Sequence, residues 1–177
     1  MAAIDPVDGR TAAEQGLGSD LESFARLGDS SSEFLRILAR VPGYAAALWG
    51  AMSEALFEGG VDHRLKEMIR IQLATAAGSR YFSELRSIPA IEAGLTEDRI
   101  EAAITGFETD PGFSEAERWA LRYAHQMYRD PAAVDAAFYA EGKTHFTEAQ
   151  IMEIGGLIAI HYGMASFMAA LEAGDLV

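Results

Sequence analysis

Apolar side chains recur at three- and four-residue spacing through most of the chain, and no segment sustains the strict alternation of a half-buried strand. The pattern predicts helices near residues 30–40, 43–57, 62–77, 80–92, 97–105, 115–128, 131–141 and 148–172, with a short one around Leu21 to Leu27. Their ends are signposted. Ser30-x-x-Glu33, Ser114-x-x-Glu117 and Thr147-x-x-Gln150 read as capping boxes, in which paired side chains take up the free amides of a first turn. Thr96 and Asp130 are further caps, and Pro131 suits a first helical position. Gly59-Gly60, Gly94, Gly106, Gly142 and Gly174 mark stops. Pro89 should kink or shorten the helix over 80–92, because proline lacks the backbone donor. Residues 1–18, with Pro6, Gly9, Gly16 and Gly18, read as a loose arm ahead of one helical domain over 19–177.

Two of these helices are apolar on more than one side. In 62–77, Leu65, Met68, Ile69, Leu73 and Ala76 form one stripe while Ile71, Ala74 and Ala77 lie on other faces. From Ile154 to Ala170 no side chain carries a formal charge except through His161. A helix apolar all round is buried in a core or an interface. In a chain of 177 residues that leaves two readings open, one central helix or a homo-oligomer.

Composition narrows the function. A formal net charge of -13 with scattered Lys and Arg gives no basic stripe for a phosphate backbone, so no nucleic-acid partner is expected. There is no cysteine, which removes thiolate nucleophiles, disulfides and Cys-ligated metals together. No His-x-x-x-His, Glu-x-x-His or acidic-loop pattern suggests a metal, and no glycine-rich phosphate loop suggests a nucleotide; no cofactor is expected. The polar start and the lack of an unbroken apolar run of about 20 residues predict no signal peptide and no membrane partner, hence a cytoplasmic protein.

The stretch from Val61 to Phe82, Val-Asp-His-Arg-Leu-Lys-Glu-Met-Ile-Arg-Ile-Gln-Leu-Ala-Thr-Ala-Ala-Gly-Ser-Arg-Tyr-Phe, precedes Ile91-Glu-Ala-Gly-Leu-Thr-Glu-Asp-Arg-Ile100. Together they resemble the core of the carboxymuconolactone decarboxylase and alkylhydroperoxidase-D family, with its "R-L-R-E-L-V" helix, its "G-C-x-Y-C" turn and its "E-A-G-L" signature. Phe113-Ser-Glu-Ala-Glu-Arg-Trp and Phe146-Thr-Glu-Ala-Gln-Ile-Met resemble the second half, so the likeness covers roughly residues 35–173. It implies an all-α, alkylhydroperoxidase-D-like bundle of about seven to eight helices in a single domain, and a homo-oligomer, trimer or hexamer. Where redox members of the family carry Cys-x-x-Cys, this chain has Ser79-Arg80-Tyr81-Phe82. Where they carry a histidine four residues later it has Arg86, and the acidic relay residue persists as Glu67. Peroxide reduction needs one thiolate to attack the O–O bond and a second thiol to resolve the sulfenic acid. Neither step is available, so thiol peroxidase activity is excluded.

What remains is proton chemistry on a small carboxylate or lactone: a cofactor-free decarboxylase, isomerase or other lyase. The candidate catalytic residues are Glu67, His161 and Tyr162; the candidate substrate-binding residues are Arg86, Ser79, Tyr81 and Phe82. Each has a structural alternative. Glu67 is a partly desolvated acid/base or the partner of Arg70 or Arg64. Arg86 holds a substrate carboxylate bidentately or pairs with Glu67 or Glu84. Ser79 is a reactive group or a helix cap. Tyr81 donates to a developing enolate or packs. His161 and Tyr162 line a pocket, or His161 is a satisfied core histidine. His63, His125 and His145 sit near helix ends or charged neighbours and promise less. A non-catalytic oligomeric member that binds a ligand or partner is the alternative to the enzyme.

Overall fold

The computed structural model describes residues 3–172, and no strand occurs among them. Helices α1 (Gly9–Ala12), α2 (Gly18–Phe24) and α3 (Glu33–Leu38) lead into α4 (Pro42–Phe57) and α5 (His63–Ala76). Short α6 (Arg80–Glu84) and α7 (Ile88–Glu92) precede α8 (Glu97–Thr105), α9 (Glu115–Arg129), α10 (Ala136–Gly142) and the long α11 (Glu148–Glu172). The all-α architecture expected from sequence is the one observed.

Helix α5 is the axle. Its ten residues from Leu65 to Ala74 are all buried, and it packs against α4, α6, α7, α8, α9 and α11. That explains its apolar side chains on several faces. It also puts Lys66, Glu67, Arg70 and Gln72 inside the protein. Helix α11 buries Ile151, Ile154, Leu157, Ile158, His161, Ala165, Met168 and Leu171 at helical spacing. By length and composition alone it is apolar enough to cross a membrane, which the search for an unbroken apolar run overlooked. Its inner face is nevertheless a core face, laid on α5 and flanked by α4, α6 and α9.

Several local expectations change. The arm is helical over 9–27 and packed, with Ala12 and Leu17 in the core. The Arg36 guanidinium donates to Val7 O at 2.6 Å and that of Arg40 to Asp5 O at 2.9 Å, tying its backbone to α3. The Ser30 box does not form. Asp29 takes the amides of Ser31 (2.8 Å) and Glu33 (3.1 Å), a carboxylate being the stronger acceptor. The 80–92 helix divides into α6 and α7, with Pro89 in the first turn of α7. Over 131–141 there is first a 3-10 turn, Pro131–Ala133, without an Asp130 side-chain cap; Asp135 caps α10 instead. The boxes at Ser114 and Thr147 and the Thr96 cap form as expected. Gly142 is needed for space: a Cβ there would lie 2.2 Å from the Trp119 ring. Gly174 lies outside the described residues.

Candidate functional site

Glu67 lies in the middle of α5 with no solvent exposure. Arg70, one turn later, meets it in a fork, Nε to Oε2 at 2.7 Å and Nη2 to Oε1 at 2.8 Å. The Ser87 amide adds a third donor to Oε1 at 2.7 Å. Arg70 turns its remaining donors to the carbonyls of Phe82 and Leu85, both at 2.8 Å. These carbonyls are free because α6 stops at Glu84 and the chain runs extended through Leu85. Glu67 and Arg70 thus stitch the break between α6 and α7 to α5. The alternative with Arg70 as partner is the geometry found, but on a sealed face rather than a solvated one.

Ser87 extends the network. Its hydroxyl does not cap α7; it lies 2.7 Å from His63 Nε2. His63 Nδ1 is 2.9 Å from Leu56 O. A carbonyl only accepts, so Nδ1 carries a proton, and in the neutral ring Nε2 accepts the Ser87 hydroxyl proton. A hydroxyl on an imidazole oriented by a third group has the form of an activated nucleophile, yet Ser87 is fully buried. His63, half-buried and 5.3 Å from the Phe57 ring, is the outer end of the chain of contacts. Sequence reasoning passed over it, since nothing in a 24-residue separation joins His63 to Ser87. The Arg70 partner was legible from its i, i+3 spacing to Glu67.

The other candidates diverge from this center. Arg86 turns away from Glu67 and Glu84 and grips Glu97, Nε to Oε1 at 2.8 Å and Nη2 to Oε2 at 2.9 Å, which corrects the expected pairing. The Glu97 hydrogen bonds raise its already high pKa against the opposing effect of burial. Ser79 is the N-cap of α6 and accepts the Phe82 amide at 3.3 Å. Phe82 lies in the core, edge-on to Phe34 at 4.8 Å. The Tyr81 phenol donates to Asp29, and burial together with that hydrogen bond holds its pKa far above the usual phenol value. Tyr162 stacks on Tyr128 at 4.4 Å.

His161 is buried behind α5, with Nε2 3.3 Å from Met52 O on α4. Burial, then the nearby Arg70 charge, pushes its pKa down to about 3, so at neutral pH it is an uncharged strut. A second buried pair, unforeseen from sequence, is Lys66 with Glu153 of α11. The same carboxylate receives the amides of Gly60 (2.9 Å) and Val61 (3.2 Å), locking the α4–α5 turn to α11.

Two hollows open elsewhere. One of about 300 Å³ lies between α5, α8 and α9, lined by Arg64, Arg99, Glu117, Thr96, Met68 and Leu95 among others. Another of about 450 Å³ lies beside Ser30–Ser32, Leu21 and Arg36. None of the seven candidate residues lines either hollow. Among the described residues no group of three His, Asp or Glu side chains is placed to hold a metal.

Residues 42–126 match the carboxymuconolactone decarboxylase family. The debrominase Bmp8 in its apo form superposes with a TM-score of 0.80 at 24% identity, covering 96% of this chain and 89% of that one. A cysteine-to-alanine variant of Bmp8 in complex with 2,3,4-tribromopyrrole gives 0.81 at the same identity and coverage. An uncharacterized peroxidase-related protein from Silicibacter sp. TM1040 gives 0.72 at 15% identity, over 89% of this chain and 83% of that one. At these identities the likeness is one of fold. No curated protein matches in sequence. This cysteine-free chain thus resembles the carboxymuconolactone decarboxylase family over residues 42–126, within an all-helical fold shared with these proteins.

Proposed function

We propose that this chain is a non-catalytic, ligand-binding member of its family. The observation that carries this reading is the state of Glu67. Its carboxylate is sealed from solvent and committed to three N–H donors, two of them on Arg70. A general acid or base must reach the proton it moves, and Glu67 lines neither of the two hollows. The ligand would lodge in the 300 Å³ hollow, where the guanidiniums of Arg64 and Arg99 face an apolar floor of Met68 and Leu95. Arg64 is bound to Asp62 and Arg99 to Glu117, so an incoming small carboxylate would compete for cations already poised for planar recognition.

Carboxyl-carbon NMR of Glu67, with amide spectra, during titration with a panel of small carboxylates tests the reading. Shifts expected at Arg64, Thr96 and Arg99 with Glu67 unmoved support it. A Glu67 resonance that responds to the ligand overturns it.

An acid/base enzyme is the second reading. It is favored by the contact sequence Glu67, Ser87, His63, which ends at a half-buried imidazole. Turnover of a lactone or carboxylate that is lost in both Glu67→Gln and His63→Gln, each shown to be folded, would establish it in place of the first.

A further inference from the structure

The hollow of about 450 Å³ beside Ser30–Ser32 has no part in the function proposed above. Three segments wall it: the start of α1, one face of α2 with Leu21, Glu22 and Ala25, and the loop into α3, whose Arg36 lies one turn beyond Ser32. Its size falls within the roughly 300–1,000 Å³ of small-molecule sites.

The loop wall is fixed from several sides. The buried Ser32 hydroxyl donates to Leu21 O at 3.1 Å. Its backbone, at φ 49°, is the one non-glycine position among the described residues in the left-handed region, which side chains rarely adopt. Asp29 accepts the Ser31 amide at 2.8 Å, the Ser31 hydroxyl at 2.6 Å and the Glu33 amide at 3.1 Å, and is itself gripped by the Tyr81 phenol. Ser31 and Ser32 have thus committed their hydroxyl protons, and of the three serines only the exposed Ser30 keeps one to offer.

Arg36 is steered by neutral acceptors. Nε donates to Val7 O at 2.6 Å and Nη1 to Ser31 O at 3.4 Å, which leaves Nη2 without a partner among the described residues. Glu22 is exposed on α2. Neither side chain belongs to an ion pair among the described residues. A cation and a carboxylate therefore line one hollow without meeting, with the apolar Leu21 and Ala25 in the same wall. A simple anion drawn to Arg36 would be opposed by Glu22, and a simple cation by Arg36. A molecule that carries both charges satisfies both walls.

We propose that this hollow binds a zwitterion, an amino acid with an apolar body. Its carboxylate lies on Nη2 of Arg36 and the Ser30 hydroxyl, its ammonium faces Glu22, and its hydrocarbon covers Leu21 and Ala25. The guanidinium is already held at two of its nitrogens, so little ordering remains when the carboxylate arrives. An α-amino acid and a longer ω-amino acid present the same two charges at different spacings.

Amide NMR of the whole chain titrated with L-leucine and with 6-aminohexanoate reads the site. Saturable shifts at Leu21, Ser31 and Ser32 in the millimolar range are expected with at least one of them, and which one gives the spacing. Amidating the carboxylate of the binder should weaken it about ten-fold. Acetylating its amine should weaken it about three- to five-fold, less because Glu22 is exposed. Glu22→Gln, at an exposed position, should melt as wild type does and bind the parent and its acetylated form alike. Absence of shifts with both zwitterions overturns the proposal. So do an acetylated form that binds wild type as tightly as its parent, a preference that survives in Glu22→Gln, and shifts confined to Thr96 and Arg99. Those last two amides report the other hollow, so failure of this site and failure of that one are read separately.

Discussion

Replacing Glu67 by glutamine removes one charge and almost no volume, so it isolates the electrostatic role of the carboxylate. Arg70 would then be a buried guanidinium, 2% exposed as a residue, without its counter-ion. Removing one partner of a buried pair costs about 3–5 kcal/mol. The Phe82 and Leu85 carbonyls still accept from Arg70, so the lower end, about 3 kcal/mol, is expected. For a chain of this size that corresponds to a melting temperature lower by roughly 6–12 °C. Arg70→Met leaves the carboxylate uncompensated and also strands the Phe82 carbonyl, worth about 1–3 kcal/mol, while Leu85 O keeps its Arg86 donor at 2.8 Å. It should be the more damaging single change. The double variant should cost far less than the sum, because each single change is dominated by the charge left behind. Urea titration followed by circular dichroism gives all three values. A loss below about 1 kcal/mol for Glu67→Gln would refute the structural role of the Glu67–Arg70 pair, as would additivity of the two singles.

Other expectations follow from the same contacts. His161 has its folded pKa pushed down to about 3, so between that value and the unfolded one near 6.5 the unfolded chain binds the extra proton and stability falls as pH falls. Wild type should lose about 2 kcal/mol more than His161→Gln between pH 7 and 5; parallel curves would refute this. At Asp29, burial raises the carboxyl pKa, but hydrogen bonds from Ser31, Tyr81 and Glu33 outweigh it and hold it below the usual range. Its stabilization is present above the unfolded value near 4 and lost as pH falls through the folded one. Tyr81→Phe should therefore cost roughly 1–3 kcal/mol at neutral pH, with the gap to wild type closing in acid. Gly142→Ala, whose Cβ would collide with Trp119, should lose about 1–3 kcal/mol with a changed tryptophan emission; a wild-type melt would show that the ring has room to move.

The helices were legible because their signals are local. Periodicity marks α5, α9 and α11, and the Ser114, Thr96 and Thr147 caps lie within three residues of the groups they satisfy. Expectations failed where distant partners competed for the same atoms. Asp29 displaced the Ser30 box while also accepting from Tyr81, 52 residues away. Arg86 found Glu97 across a helix boundary rather than the nearer Glu84. At the candidate site, sequence supplied Glu67 and its i+3 partner but not the two carbonyls that give Arg70 its purpose. Whether a backbone carbonyl is free depends on where a helix stops, and α6 stops earlier than periodicity suggested. The sequence pattern also could not show that Ser87 would turn from capping α7 to His63.

The persistence of an acid at position 67 has an explanation that needs no reaction. The break between α6 and α7 turns the Phe82 and Leu85 carbonyls inward, and buried carbonyls must find donors. Arg70 supplies them, but two neutral acceptors do not compensate a cation removed from water. Only a carboxylate in the same enclosure does, and α5 delivers one from the preceding turn. The Ser87 amide then uses the remaining capacity of Oε1, fixing the start of α7. Each group is required by the one before it, and the sequence of requirements begins with a helix break rather than with a substrate. A catalytic acid in this place would have to give up the arginine that holds the break together whenever it took a proton. Chemistry and architecture would thus compete for one side chain.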